Sequence, residues 1–196
     1  MKRLYAALVL VAAFAIVEFI GAYLSGSLSL GVDAVHMVVD TGGMTIAVIT
    51  ARIASRLTDL RDKRRVESHG AHLNMNVLLV TALGIVIVAL WRFFHPVSIE
   101  SVVMFYIAGI GLSINGLILI LLHFGRGENL NLKAAHFHVV ADTLTSVGVV
   151  IAAVFITLTG YVWIDPATSI FIGVVIFQGA RHIRRESKKY LESHSG

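Results

Sequence analysis

Cysteine is absent from the 196 residues, so disulfides and thiolate metal sites are excluded. Copper(I) is disfavoured for the same reason: it seeks soft sulfur, and only five methionines offer any. There is no G-x-x-x-x-G-K-[ST] loop to bind a nucleotide, and no H-E-x-x-H helix whose glutamate would serve a zinc hydrolase as base. No low-complexity tract appears. Charged residues make up only 14% of the chain, while 57% is hydrophobic, above the roughly 45–50% of ordinary soluble domains. The mean hydropathy is +0.82.

Crossing a bilayer takes ~20 mostly apolar residues in a helix. Six stretches meet that need, at about 4–24, 31–53, 73–95, 101–124, 134–159 and 166–186. The expected fold is therefore all-α: a polytopic membrane protein of six transmembrane helices. The connections are short, which predicts a single transmembrane domain over residues 1–196. The first stretch is too long, and too polar at Glu18, for a signal-peptide core, so it is read as retained.

Cations are scarce on one side. With six spans, every one of the 16 lysines and arginines except Arg92 falls on the side of the two termini. The positive-inside rule then places both termini in the cytoplasm. The run Arg61 to Arg65 is read as a topology signal touching anionic lipid heads, and no nucleic-acid partner is expected. Asp165 and Pro166 look like the N-cap and first position of the sixth helix.

What is present at membrane depth is a repeated H-x-x-x-D: His36 with Asp40, and His138 with Asp142. Residues four apart share a helix face. If the second and fifth helices face each other, two imidazoles and two carboxylates converge. Zinc takes such a tetrahedral set without needing a thiol. Each pair could instead be an internal hydrogen bond or a packing contact. Against that stands the cost of ionisable groups in a membrane, where they are functional by default.

The stretches "SGSLSLGVDAVHMVVDTGG", "AAHFHVVADTLTSVGVV" and "WIDPATSIFIG" resemble the cation diffusion facilitator family of zinc transporters. The resemblance implies six helices, cytoplasmic termini, a homodimer, and metal export in exchange for protons. It implies a transport site at His36, Asp40, His138 and Asp142, with the histidine of the second helix associated with zinc preference. Two features depart from the family pattern. Members usually continue into a soluble cytoplasmic domain, whereas this chain ends about ten residues past the sixth expected helix, so no soluble C-terminal domain is expected and dimerisation rests on the membrane part. The segment "ESHGAHLNMN" also differs from the usual stretch before the third helix.

Other polar residues have two readings each. Asp33 suits the dipole at the start of the second helix, the favoured role, or lies on an exit path. Glu18 lines a wet cavity or pairs with a polar neighbour. Asn115 is expected to bond between helices, with a gating role as the alternative. Asp59, Asp62, Glu67, His69 and His72 fall in an expected cytoplasmic loop, as a second, weaker zinc site or as plain solvated residues. His136 points away from the paired site. His95, His123, His182 and His194 sit at helix ends or in the tail and need no function.

The function expected is zinc efflux by Zn²⁺/H⁺ antiport and alternating access, in a bacterial plasma membrane, with zinc as substrate rather than a resident cofactor. The alternatives are a membrane-embedded zinc metalloenzyme, and a metal sensor or structural metal-binding protein. Four convergent ligands argue against the enzyme, because a catalytic zinc keeps an open position.

Overall fold

Inside a bilayer a backbone must satisfy its own hydrogen bonds, so apolar stretches of this length become helices. The computed structural model describes the backbone of residues 2–123 and 130–192, and side chains within 11–46, 48–63, 65–120 and 139–181. Among these residues six helices follow in order: α1 (Lys2–Ser25), α2 (Leu28–Arg56), α3 (Leu60–Phe94), α4 (Ser101–His123), α5 (Leu130–Thr159) and α6 (Ile164–Glu192). Four are long and apolar enough to cross a membrane: Leu28–Arg56, Leu60–Phe94, Ser101–Ile120 and Val139–Thr159. Val11–Ser25 of α1 is a shorter apolar stretch, and α6 does not reach the same measure within its described residues.

The largest difference from the sequence expectation is at α3. The segment expected to be a loop is helical from Leu60, so the basic run, Glu67, His69 and His72 all lie on its first turns. Hydropathy marks only the part of a helix that meets lipid. Leu, Arg, Lys and Glu are good helix formers, and no proline interrupts them. Asp59 caps this helix, accepting from Arg61 N at 2.8 Å.

A second correction concerns Asp165. It does not cap its own helix, because α6 already begins at Ile164. Its carboxylate crosses instead to the start of α2, accepting from Leu28 N at 2.6 Å, Ser29 N at 3.0 Å, Ser27 Oγ at 2.7 Å and Ser29 Oγ at 2.5 Å. Ser27 is the true N-cap of α2 and accepts from Leu30 N at 3.2 Å. The first amides of a helix have no partner within it. Here those of Leu28, Ser29 and Leu30 are all met, two of them by another helix. Pro166 still falls in the first turn of α6, where its missing N–H costs nothing.

The α1–α2 turn is fastened on other sides too. Gly26 has φ +70, and a Cβ there would stand 2.9 Å from Ser98 O, so only glycine fits without strain. Arg92 donates to Gly26 O, and Glu100 N donates to Ser25 O at 2.9 Å.

α3 packs along α6 and α4 along α5, while α2 touches α1, α3 and α6. Leu30, Leu78, Met104, Val149 and Ile172 bring five helices into one apolar core. In lipid, burial of apolar surface between helices gains little, so close packing and interhelical hydrogen bonds decide the arrangement.

Candidate metal centre

His36 and Asp40 occupy one face of α2, one turn apart. His36 Nε2 lies 3.2 Å from Asp40 Oδ2 and 3.5 Å from Asp142 Oδ1 of α5. All three side chains are nearly buried. One ligand atom from each lies within 4.8 Å of the others. Four donors at zinc-bond distance around a tetrahedral centre are separated by about 3.4 Å from one another. The two separations from His36 bracket that spacing, and the two carboxylates lie within 4.8 Å of each other, so these three donors could close on a small divalent cation. Two carboxylates beside one imidazole also supply the negative charge that would offset a divalent ion at membrane depth.

His138 lies on α5, one turn before Asp142. Its side chain falls outside the described residues, as does that of His136.

Asp33 differs from its favoured reading as a helix-end acid. Because α2 starts at Leu28, Asp33 is already past the first turn and is buried. Its carboxylate accepts from Thr145 Oγ1 at 3.0 Å and Ser146 Oγ at 3.1 Å, both on α5. Asn115 of α4 makes the expected interhelical bond, donating from Nδ2 to Ser146 Oγ at 3.0 Å. A polar chain therefore runs from α4 through α5 to α2, directly beside the His36–Asp142 contact. Thr145 and Ser146 were not singled out in the sequence. Their signal was the spacing: they follow Asp142 by three and four residues, on the face already assigned to the site.

Glu18 is buried on α1 and lies within Coulombic range of Asp33 and Asp142. One of its oxygens makes no hydrogen bond with any described residue. The other faces Gly111 of α4, where a Cβ would stand only 2.8 Å away. Glu18 thus sits inside the bundle, where α1 meets α4.

Asp59, Asp62, Glu67, His69 and His72 are exposed on the start of α3. His69 Nδ1 lies 2.7 Å from Arg65 O, and His72 Nδ1 2.7 Å from Ser68 O, so each ring meets its own helix. Among the described residues, the one group of three or more potential ligands that converge is His36, Asp40 and Asp142.

A family model of the cation efflux transmembrane domain matches residues 4–191. The chain belongs to the cation efflux family. Among its cation efflux relatives, the zinc transporter ZitB of Yersinia pestis is 38% identical over 190 residues, covering 95% of this chain and 61% of that protein. The ZitB of Escherichia coli is 37% identical with the same coverage. A cadmium, cobalt and zinc/H⁺-K⁺ antiporter of Bacillus velezensis is 32% identical over 191 residues, again 95% of this chain and 61% of that protein. The chain thus spans about three fifths of the length of these curated relatives. Family membership and the apolar helices identify an integral membrane protein.

Proposed function

We propose that this chain is the membrane domain of a divalent-cation efflux transporter that moves Zn²⁺ in exchange for protons. The observation that carries the reading is the buried cluster of His36, Asp40 and Asp142 where α2 meets α5. Its support from outside is the zinc and zinc/H⁺ naming of relatives that align along 95% of the chain. His138, one turn from Asp142, is the fourth ligand in this proposal. Asp59, Asp62, Glu67, His69 and His72 stay outside it, since they do not converge.

The chemistry follows from the donor set. Imidazole and carboxylate bind a metal only when deprotonated, so loading releases protons and unloading invites them back. The ligands come from two helices, so a relative movement of α2 and α5 would assemble or disperse them. Alternating access in secondary transporters works by rocking one part of the bundle against another around a fixed site. The half of α2 nearer Ser27 is mostly buried, whereas beyond Asp40 it is largely exposed.

With the termini in the cytoplasm, the Ser27 end of α2 faces outward in this reading. Moving Zn²⁺ out against an inside-negative potential costs ~4.6 kcal/mol per 100 mV, and each entering proton offsets ~2.3 kcal/mol. Protons are therefore a sufficient driver without ATP. Residues 1–196 form one transmembrane domain in this reading, paired as a homodimer in a bacterial plasma membrane.

Zinc flux into proteoliposomes under an imposed proton gradient tests the proposal. Gradient-dependent uptake is expected. Zinc binding with no flux would indicate a structural or sensing role.

A further inference from the structure

The Asp165 carboxylate is fully buried, sits at the first turn of α6, and spends all its observed hydrogen bonds on α2. A buried carboxylate is costly unless several donors meet it. Four donors do, and two are backbone amides, which cannot turn away as a hydroxyl can. The positive ends of both helix dipoles, α2 and α6, converge on the same anion.

We infer that Asp165 is a positioning residue for the metal ligands of α2: it fixes the axial register and rotation of that helix against α6. His36 lies eight residues beyond Leu28, about 12 Å along the axis, and Asp40 one turn further. A slip of α2 by one residue would shift these ligands by ~1.5 Å and turn them by ~100°, away from Asp142. Packing against α1, α3 and α6 opposes such a slip too, but side chains slide past one another more readily than a hydrogen-bonded amide breaks, and among the described residues the polar holds on α2 from other helices are few. Thr145 and Ser146 hold Asp33 by hydroxyls alone, and α2 meets α5 over a short length. Arg92 and Glu100 fasten the turn residues Gly26 and Ser25, not the helix itself. Asp165 is the group from another helix that grips α2 by its own first amides. This inference rests on the metal-site reading proposed above.

The test uses Asp165→Asn and Ser29→Ala. Asparagine keeps one acceptor but turns an N–H₂ toward donors. Ser29→Ala removes the 2.5 Å hydroxyl contact, together with the 3.3 Å contact to Ser27 Oγ, keeps both backbone amides on Asp165, and serves if the first variant does not fold. Zinc binding is measured by calorimetry on purified protein, where stoichiometry reports the folded fraction and affinity reports geometry. Asp165→Asn is expected to weaken zinc about 10-fold or more at unchanged stoichiometry, with a smaller loss in Ser29→Ala. In parallel, spin labels are placed at Val48 of α2 and Val174 of α6, both exposed, in a chain with no native cysteine. Their distance distribution, without zinc, should broaden in the variants. Unchanged affinity and an unchanged distribution would overturn the assignment. If the distance broadens but wild-type protein binds no zinc, the metal-site reading fails and the anchoring role of Asp165 stands.

Discussion

Ser146 Oγ donates to Asp33 Oδ2 at 3.1 Å, joining α5 to α2 immediately beside the contact between Asp142 and His36. Ser146 also receives the Asn115 amide, so one hydroxyl links three helices. Ser146→Ala should therefore leave a buried carboxylate and a buried amide each short of a partner. A loss of about 1–3 kcal/mol in unfolding stability is expected. Combined with Asn115→Ala the losses should not add, with a coupling of about 0.5–3 kcal/mol. Denaturation of the four proteins of this cycle in detergent checks it, and full additivity would mean that the chain does not act as a unit.

Asp142→Ala removes the one described ligand that α5 supplies. Zinc affinity should fall by more than the ~10–100-fold seen when only an orienting partner is lost. Transport should cease, while circular dichroism and detergent elution remain those of the parent. Near-normal flux would place the site elsewhere.

Gly111→Ala puts a methyl group 2.6 Å from Phe14 Cε1 and 2.8 Å from Glu18 Oε1. Overpacking of that kind costs about 1–3 kcal/mol. Gly116→Ala on the same helix meets nothing within 4 Å among the described residues and should be close to neutral. Thermal unfolding of the pair separates a packing effect from a general intolerance of α4. Equal stability of the two variants would contradict the close approach of α1 and α4.

Much of this molecule can be read without coordinates, for physical reasons. Apolar runs of bilayer length leave a backbone no choice but helix, so α1 and α4 match expectation to within two residues. The His36–Asp40 spacing predicts a shared helix face, and the cost of charge in lipid predicts a partner from another helix. Asp142 is that partner. Hydropathy could not show where α3 begins, because its first turns leave the apolar zone and carry charges that favour helix equally well. Nor could local rules place Asp165. Asp-Pro at a helix start normally reads as a cap for that helix, and only the fold reveals that its carboxylate faces the amides of α2. Asp33 misled for the same reason. An acid near a helix start suits the dipole, but the serine cap three residues upstream of Leu30 moved the start of α2 away from it.

The most direct measurement counts the protons released when zinc binds. His36 and, in the proposal, His138 bind metal as neutral imidazoles, whose ordinary pKa is about 6.5. Protons on these rings compete with zinc, so affinity falls as pH falls and recovers as it rises. Calorimetry between about pH 5.5 and 8, in buffers of differing protonation enthalpy, reads the count directly. Release rising toward about two protons per zinc at the acid end is expected, together with weaker binding. Zinc held equally tightly across the range, with no proton released, would contradict proton-coupled transport through this site.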